Sequence, residues 1–352
     1  MKNIAIIGAG FSAASFCYFI KKDLDIYEKS RGAGGRCSTR RVENVGLFDH
    51  GLQYIKNPNS EFKKMLNDYS VWQGNFKIFE NNQLKNDEVK ERIIHENGNN
   101  ILVKNLFKNN ENIFANKELK SIEKKSDYLL LTFKDDTQEQ YKTVIITAPF
   151  QQAYNLTKQF SENYFSKFNF SMQPNLTVMV AFNKSLKLDL SAIHFENDDV
   201  LGFAANENTK KKNLINKDLE LWTIQSSLKY SIKNIREYRN NKQALIDETL
   251  KNFSTRLKIN ISKDQIHYSD IHGWLYAYNL NTAAPNCYWD SELRLGICGD
   301  WFSGNNAESA FFNFGQKTEE KNSAPKQEKN MDDLMTQIDK LKKEVEEIKS
   351  QK

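Results

Sequence analysis

An apolar run, a glycine turn and a helix of small residues at the N-terminus constrain this chain more than any other feature. Asn3–Ile7 reads as a β-strand, Gly8-Ala9-Gly10 as a turn, Phe11–Lys22 as a helix opening with Ser12, Ala13, Ala14 and Ser15, and Leu24–Tyr27 as a second strand ending at Glu28. The chain therefore opens on a βαβ unit. Gly8-x-Gly10-x-x-Ala13 lies between the first strand and the helix, where Gly8 permits the tight turn and Gly10 lets a pyrophosphate approach the backbone. Phe11, Ser12 and Ala13 belong to the first turn, whose outward amides and dipole favour an anion. Glu28 stands 18 residues after Gly10, where a carboxylate accepts hydrogen bonds from a ribose diol. A plain glycine turn beside an ordinary surface glutamate would have to account for both the context and the spacing. Met1–Ile20 superficially resembles a secretory signal, but the same residues fit the strand, turn and helix.

The loop after Glu28 reads Lys29-Ser30-Arg31-Gly32-Ala33-Gly34-Gly35-Arg36-Cys37-Ser38-Thr39-Arg40-Arg41. Its glycines and arginines suit a diphosphate lying against backbone amides, with guanidinium groups reaching the oxygens. A flexible basic loop is the alternative. Cys17, Cys37, Cys287 and Cys298 include no C-x-x-C pair and no metal-ligand spacing, so thiols in a reducing, cytoplasmic setting are expected and no metal site is. Cys37 and Cys298 lie within the candidate cofactor segments without a partner at redox spacing, which argues against thiol–disulfide chemistry. The net charge of +5 over 352 residues gives no concentrated basic face for nucleic acid, and no stretch suits a membrane span.

Glu28-Lys29-x-Arg31-Gly32-x-Gly34-Gly35-Arg36 matches the second signature of flavoproteins that bind FAD in the glutathione-reductase manner. Phe48-Asp49-His50-Gly51-x-Gln53-Tyr54, Ala148-Pro149-x-Gln151, Trp274-x-Tyr276-Ala277 and Cys298-Gly299-Asp300-Trp301 with Gly304 and Glu308 then follow in order. With them, residues 1 to about 315 resemble the renalase-like branch of the amine-oxidase-related flavoproteins. The resemblance implies non-covalent FAD held by Gly8, Gly10, Phe11, Ser12, Ala13, Glu28, Lys29, Arg31, Gly35, Arg36, Gly51, Gln53, Ala148, Pro149, Gly299, Asp300, Glu308 and Ser309. It implies that His50 and Gln53 lie near the flavin, and that Trp274, Tyr276 and Trp301 wall an aromatic pocket; core packing is the alternative for the aromatics, and a structural histidine for His50. The implied activity is an oxidase that takes hydride from dihydronicotinamide isomers and passes electrons to O2, giving H2O2. An amine oxidase, a dehydrogenase with another acceptor and a flavin-binding scaffold are the alternatives. No second glycine-rich βαβ unit stands ready for a stably bound nicotinamide cofactor. Asn306 and Gly273 stand where family members often carry arginine, and Ser309 replaces a glycine.

The expected fold is α/β, with a discontinuous Rossmann-type FAD-binding domain (1–60, 100–160 and 285–315) and an antiparallel-sheet α+β substrate domain (61–99 and 161–284), the active site lying between them. Further strands are expected at Leu119–Ile122, Tyr128–Phe133, Thr143–Thr147, Leu176–Phe182, Leu219–Ile224 and Leu293–Cys298, and helices at Ile235–Leu257 and Asn305–Phe314. Lys210-Lys211-Lys212 reads as a solvated loop. Residues 316–330 read as a linker. Met331, Leu334, Ile338, Leu341, Val345 and Ile348 then form a heptad seam at 331–352, read as a C-terminal helical tail that is either a solvated helix or a short coiled-coil oligomerisation or docking segment.

Overall fold

The computed structural model describes residues 2–20, 24–108, 112–210, 216–280, 287–302, 304 and 306–312. The linker at 316–330, the seam at 331–352, and Lys211 and Lys212 lie outside them. The described residues divide into two compact units: those within Met1–Gly35, Val103–Met172 and 279–312 in the first, those within Arg36–Leu102 and Gln173–Tyr278 in the second.

The first unit is built on an eight-stranded sheet. Its main path runs Ile113–Phe114, Asp25–Tyr27, Lys2–Ile7, Gln138–Ile146, Leu129–Phe133, Leu119–Lys124. Lys2–Ile7 is parallel to Asp25–Tyr27 on one side and to Gln138–Ile146 on the other. The apolar end of Gln138–Ile146 is also parallel to Leu295–Cys298, while its polar first half pairs antiparallel with Leu129–Phe133. One strand thus serves both the buried parallel core and the hairpin. The change follows its burial, from exposed at Gln138 to fully buried at Ile146. The helix Phe11–Ile20 is apolar nearly all round, and Phe11 to Phe16 are buried. Ile7, Leu131, Phe133, Val144, Ile146, Phe165, Leu295 and Trp301 belong to one core cluster.

The second unit contains a seven-stranded sheet in the order Ile266–Asn279, Met172–Phe182, Glu220–Ser226, Leu201–Asn206, Ala192–Phe195, Phe76–Glu80, Gln83–Asn86. Met172–Phe182, Glu220–Ser226, Leu201–Asn206 and Ala192–Phe195 pair antiparallel in turn, as do Phe76–Glu80 and Gln83–Asn86, while Ala192–Phe195 pairs parallel with Phe76–Glu80. Val178, Val180, Trp222 and Ile224 pack with Leu245, Leu250 and Phe253 of the helix Lys242–Leu257. Met179, Ala181 and Leu221, their alternates along the same strands, pack instead with Val45 and Phe48.

That second contact explains a boundary that differs from the expected one. Residues 36–60 fall in the second unit, because the hairpin of Arg40–Val42 and Gly46–Phe48 buries its apolar side on this sheet. The helix expected over Ile235–Leu257 begins later, at Lys242, and ends at Leu257; a separate short helix, Leu228–Asn234, capped by the Ser227 side chain, precedes the expected span. Among the described residues no helix is long and apolar enough to cross a membrane.

Candidate dinucleotide site

In the first unit the strand Lys2–Ile7 delivers Gly8 at φ +105°, a conformation that favours glycine. A Cβ there would also come within 2.7 Å of the Thr147 hydroxyl oxygen. Gly10 is different. Its carbonyl accepts from Ala14 at 3.0 Å and so opens the helix. A Cβ on it would meet only the Gly35 Cα, at an ordinary 3.9 Å. Nothing in the protein's own packing asks for glycine at position 10; close approach of a ligand to that backbone does.

The second glycine loop folds onto the first. The Gly34 amide donates to the Ala9 carbonyl at 2.9 Å, and Gly35, at φ +54°, would bring a Cβ to 3.2 Å from the Gly10 Cα. Glu28 ties the two loops together. Its Oε2 accepts from the Ala9 amide at 2.9 Å and its Oε1 from the Ser30 amide at 2.8 Å, with the residue 6% exposed. Each carboxylate oxygen retains a further acceptor position, the pair that a vicinal diol needs. Lys29 donates to the Gln152 side chain, and Arg31 is exposed.

Two glycine substitutions separate these roles. Gly10→Ala is expected to change stability by less than about 1 kcal/mol while weakening dinucleotide uptake at least about tenfold. Gly8→Ala, strained and colliding with Thr147, is expected to cost roughly 1–3 kcal/mol. Urea unfolding beside cofactor titration distinguishes them.

The later segments are placed as follows. Pro149 precedes the helix Phe150–Phe165, and the Ala148 carbonyl accepts from the Trp301 indole at 3.2 Å. Asp300 is buried and begins a single turn of 3-10 helix, Asp300–Phe302. Gly299 is explained by Trp301, whose indole nitrogen would lie 2.4 Å from a Cβ. Trp301 is fully buried, packed with Phe150, Phe165, Phe170 and Phe302. It is a core residue of the first unit, and the expectation that it walls a pocket is corrected. Glu308 and Ser309 lie in the helix Ala307–Phe312; Ser309 donates from its amide and hydroxyl to the Asn306 side chain. Asn306 therefore caps this helix where an arginine was expected.

In the second unit the segment Asp49–Gln53 is caged. Asp49 Oδ1 accepts from the Thr39 hydroxyl at 2.6 Å and the Asn99 amide at 3.0 Å, and its own amide donates to Glu207 Oε1 at 3.0 Å. Gln53 donates to the Asp49 carbonyl and accepts from Lys210 Nζ at 2.8 Å. Lys210 is wholly buried, 3.3 Å from Glu207 Oε1 and 3.6 Å from Asp49 Oδ2, with its ammonium 4.9 Å from the Trp72 ring centre. The expected solvated lysine is instead the cation of a buried ion cluster. The Gln53 amide is committed to this cluster at both ends. Gly51 has a structural reason too: a Cβ would lie 2.0 Å from the Arg36 carbonyl. Arg36 itself donates to the Ala277 carbonyl at 3.0 Å.

His50, His272 and Trp274 form a ring cluster, with His50 stacked on Trp274 at 5.3 Å and edge-on to His272 at 4.8 Å. The Trp274 indole donates to the His50 carbonyl at 2.8 Å. Tyr276 is half-buried two residues along the same strand. His50 is 5% exposed and its Nδ1 is sealed from solvent. The sequence missed His272. Gly273 answers to packing as well, since a Cβ would come within 2.5 Å of the Tyr238 ring and would require that ring to move.

Burial first, then His272 and Arg40, push the His50 pKa down to about 3; Asp49 opposes them weakly. Burial and Arg40 push His272 down to about 4. Both imidazoles are neutral at pH 7. Between pH 6.5 and about 3 the unfolded chain takes up the His50 proton and the folded chain does not. This contribution to stability is complete above pH 6.5 and drains away as pH falls toward 3. His50→Asn is expected to flatten the loss of stability between pH 7 and 4, read from urea midpoints at several pH values.

Residues 6–69 match the family described as the NAD(P)-binding Rossmann-like domain. Three solved structures resemble most of the chain. A protein from Exiguobacterium sp. 255-15 assigned as a protoporphyrinogen oxidase superposes with a TM-score of 0.68 at 9% identity, over 89% of this chain and 96% of its own. Putrescine oxidase bound to putrescine gives 0.64 at 9%, over 88% and 96%. Reduced UDP-galactopyranose mutase gives 0.68 at 12%, over 88% and 92%. At these identities the likeness is one of fold: residues 6–69 are similar to a Rossmann-like domain, and the chain resembles those three proteins in fold.

Proposed function

We propose that the chain is an FAD-dependent oxidoreductase, with FAD held non-covalently by the first unit. The observation that carries this is the pairing of an unfilled approach at Gly10 with the Glu28 carboxylate fixed across both glycine loops. A dinucleotide fits these residues: the helix Phe11–Ile20 offers its N-terminal amides to the diphosphate, and Glu28 accepts from the ribose hydroxyls. Bound there, FAD supplies a two-electron acceptor that no side chain of the protein provides. The three structural neighbours support the reading by fold, and the two glycine-loop signatures by sequence. Within it, the substrate we favour is a dihydronicotinamide isomer, a hydride donor that needs no strong base, with O2 reoxidising the cofactor to give H2O2. The match to an NAD(P)-binding family supports a second reading, in which the same loops hold a nicotinamide dinucleotide.

The test begins with the purified protein. Denaturation and mass measurement identify the released dinucleotide. FAD is the expected result; NAD(P), or no uptake of added FAD, overturns the proposal. Anaerobic addition of 6-dihydro-NADP then follows. Bleaching of the flavin band within seconds supports the favoured substrate, and a persistent band removes that substrate while leaving the cofactor.

A further inference from the structure

We propose that Cys287 and Cys298 form a cross-strand pair, a site of reversible oxidation to a disulfide at the edge of the first unit's sheet. The inference is independent of the proposed function. Cys287–Asp290 and Leu295–Cys298 are antiparallel neighbours, and their register sets Cys287 directly opposite Cys298. Directly opposed residues have Cα atoms about 4.5–5.5 Å apart in either kind of antiparallel pair, and their side chains share one face. A disulfide spans Cα separations of about 4.4–6.8 Å, so the register places the two backbones within reach of the bond. Both residues are thiols in the structure, 3% and 1% exposed. Sequence spacing hides the pair, because the residues are eleven apart and only the hairpin brings them together.

The same burial decides the chemistry. It raises the Cys287 thiol to about 12 and holds Cys298 well above its ordinary value, so neither is a ready thiolate in the closed sheet. A disulfide carries no charge and tolerates this surrounding where a thiolate does not. Exchange therefore proceeds when the edge hairpin opens. The oxidant is a low-molecular-weight disulfide of the glutathione class. One cysteine gives up its proton and attacks a sulfur of the oxidant, releasing one small thiol. The other then attacks the mixed disulfide and releases the second. Two protein thiols are oxidised, one small disulfide is reduced to two thiols, and no other reactant is needed. Cys298 immediately precedes Gly299 and Asp300, so the link would fasten the strand from which that candidate cofactor segment departs.

The test uses the full wild-type chain with oxidised glutathione, under native conditions and in urea below the unfolding transition. Remaining thiols are alkylated in denaturant before tryptic digestion. Cleavage after Arg294 separates the two cysteines, so the expected product is a peptide of residues 264–294 joined to one of residues 295–317. Its yield should rise in urea, and reductant should abolish it. Cys287→Ser should leave Cys298 unlinked, with no transfer of the bond to Cys37. Alkylation of both residues as thiols in both arms overturns the proposal, as does glutathione retained on either one without a link between them.

Discussion

Lys210→Met is expected to lower the stability of the folded protein by about 3–5 kcal/mol, read as a fall in the urea midpoint at unchanged slope. The substitution keeps the length of the side chain and most of its apolar stem. What it removes is the cation facing Asp49 and Glu207, both of which are 0% exposed. Two buried carboxylates would then lose the Lys210 ammonium that they share. The surviving hydrogen bonds from Thr39, Asn99 and Thr223 cannot replace the lost charge. The double variant Lys210→Met/Glu207→Gln is expected to recover part of the loss, because it leaves one buried carboxylate in place of two. If the single variant loses less than about 1 kcal/mol, the cluster is not the buried ion set described here. The segment from Asp49 to Gln53 should loosen with it, so faster amide exchange there is the accompanying local sign.

What the sequence disclosed, and what it withheld, follow from the range of the interactions. The βαβ opening is legible because its determinants lie within 28 residues: an apolar strand, two glycines, a helix of small residues and a glutamate at the end of the next strand. The strand Gln138–Ile146 is legible in its apolar half for the same reason. Lys210 is not. In a run of three lysines it has the appearance of a solvated residue, and its partners Gln53 and Asp49 come from a segment more than 150 positions away. Trp301 and Trp274 are the same residue type with opposite settings, one sealed in the first core and the other stacked on His50 in the second unit. Composition cannot separate those fates. The strand Ile266–Asn279, with His267, Ser269, Asp270 and Gly273 along it, has no clean alternation. It was found only through the sheet it borders, and His272 with it.

Glu28→Gln is expected to weaken FAD retention roughly 10- to 100-fold, for a reason that the two loops make explicit. The carboxylate accepts a backbone amide on each oxygen, from Ala9 on the first glycine turn and from Ser30 at the start of the second loop. A carboxamide has one acceptor oxygen and one donor nitrogen. It can serve one of those amides and must turn an N–H toward the other. Either the Ala9 or the Ser30 amide then faces a donor in a position 6% exposed, and a charge-assisted bond worth about 1.5–3 kcal/mol is lost. Half of the acceptor pair offered to a ribose diol disappears at the same time. Because Glu28 also holds the two loops together, a modest loss of stability should accompany the loss of binding. The ratio of the two is the informative quantity. If unfolding shifts by the full 1.5–3 kcal/mol while flavin content stays complete, Glu28 is a loop clasp alone and the ribose lies elsewhere. If flavin content falls at a folding midpoint near that of the wild type, the carboxylate is acting on the ligand directly. Glu28→Asp is the complement: it keeps the charge but draws both oxygens back by one methylene. It should therefore lose both backbone contacts and ligand, with partial recovery of binding only at high FAD concentration.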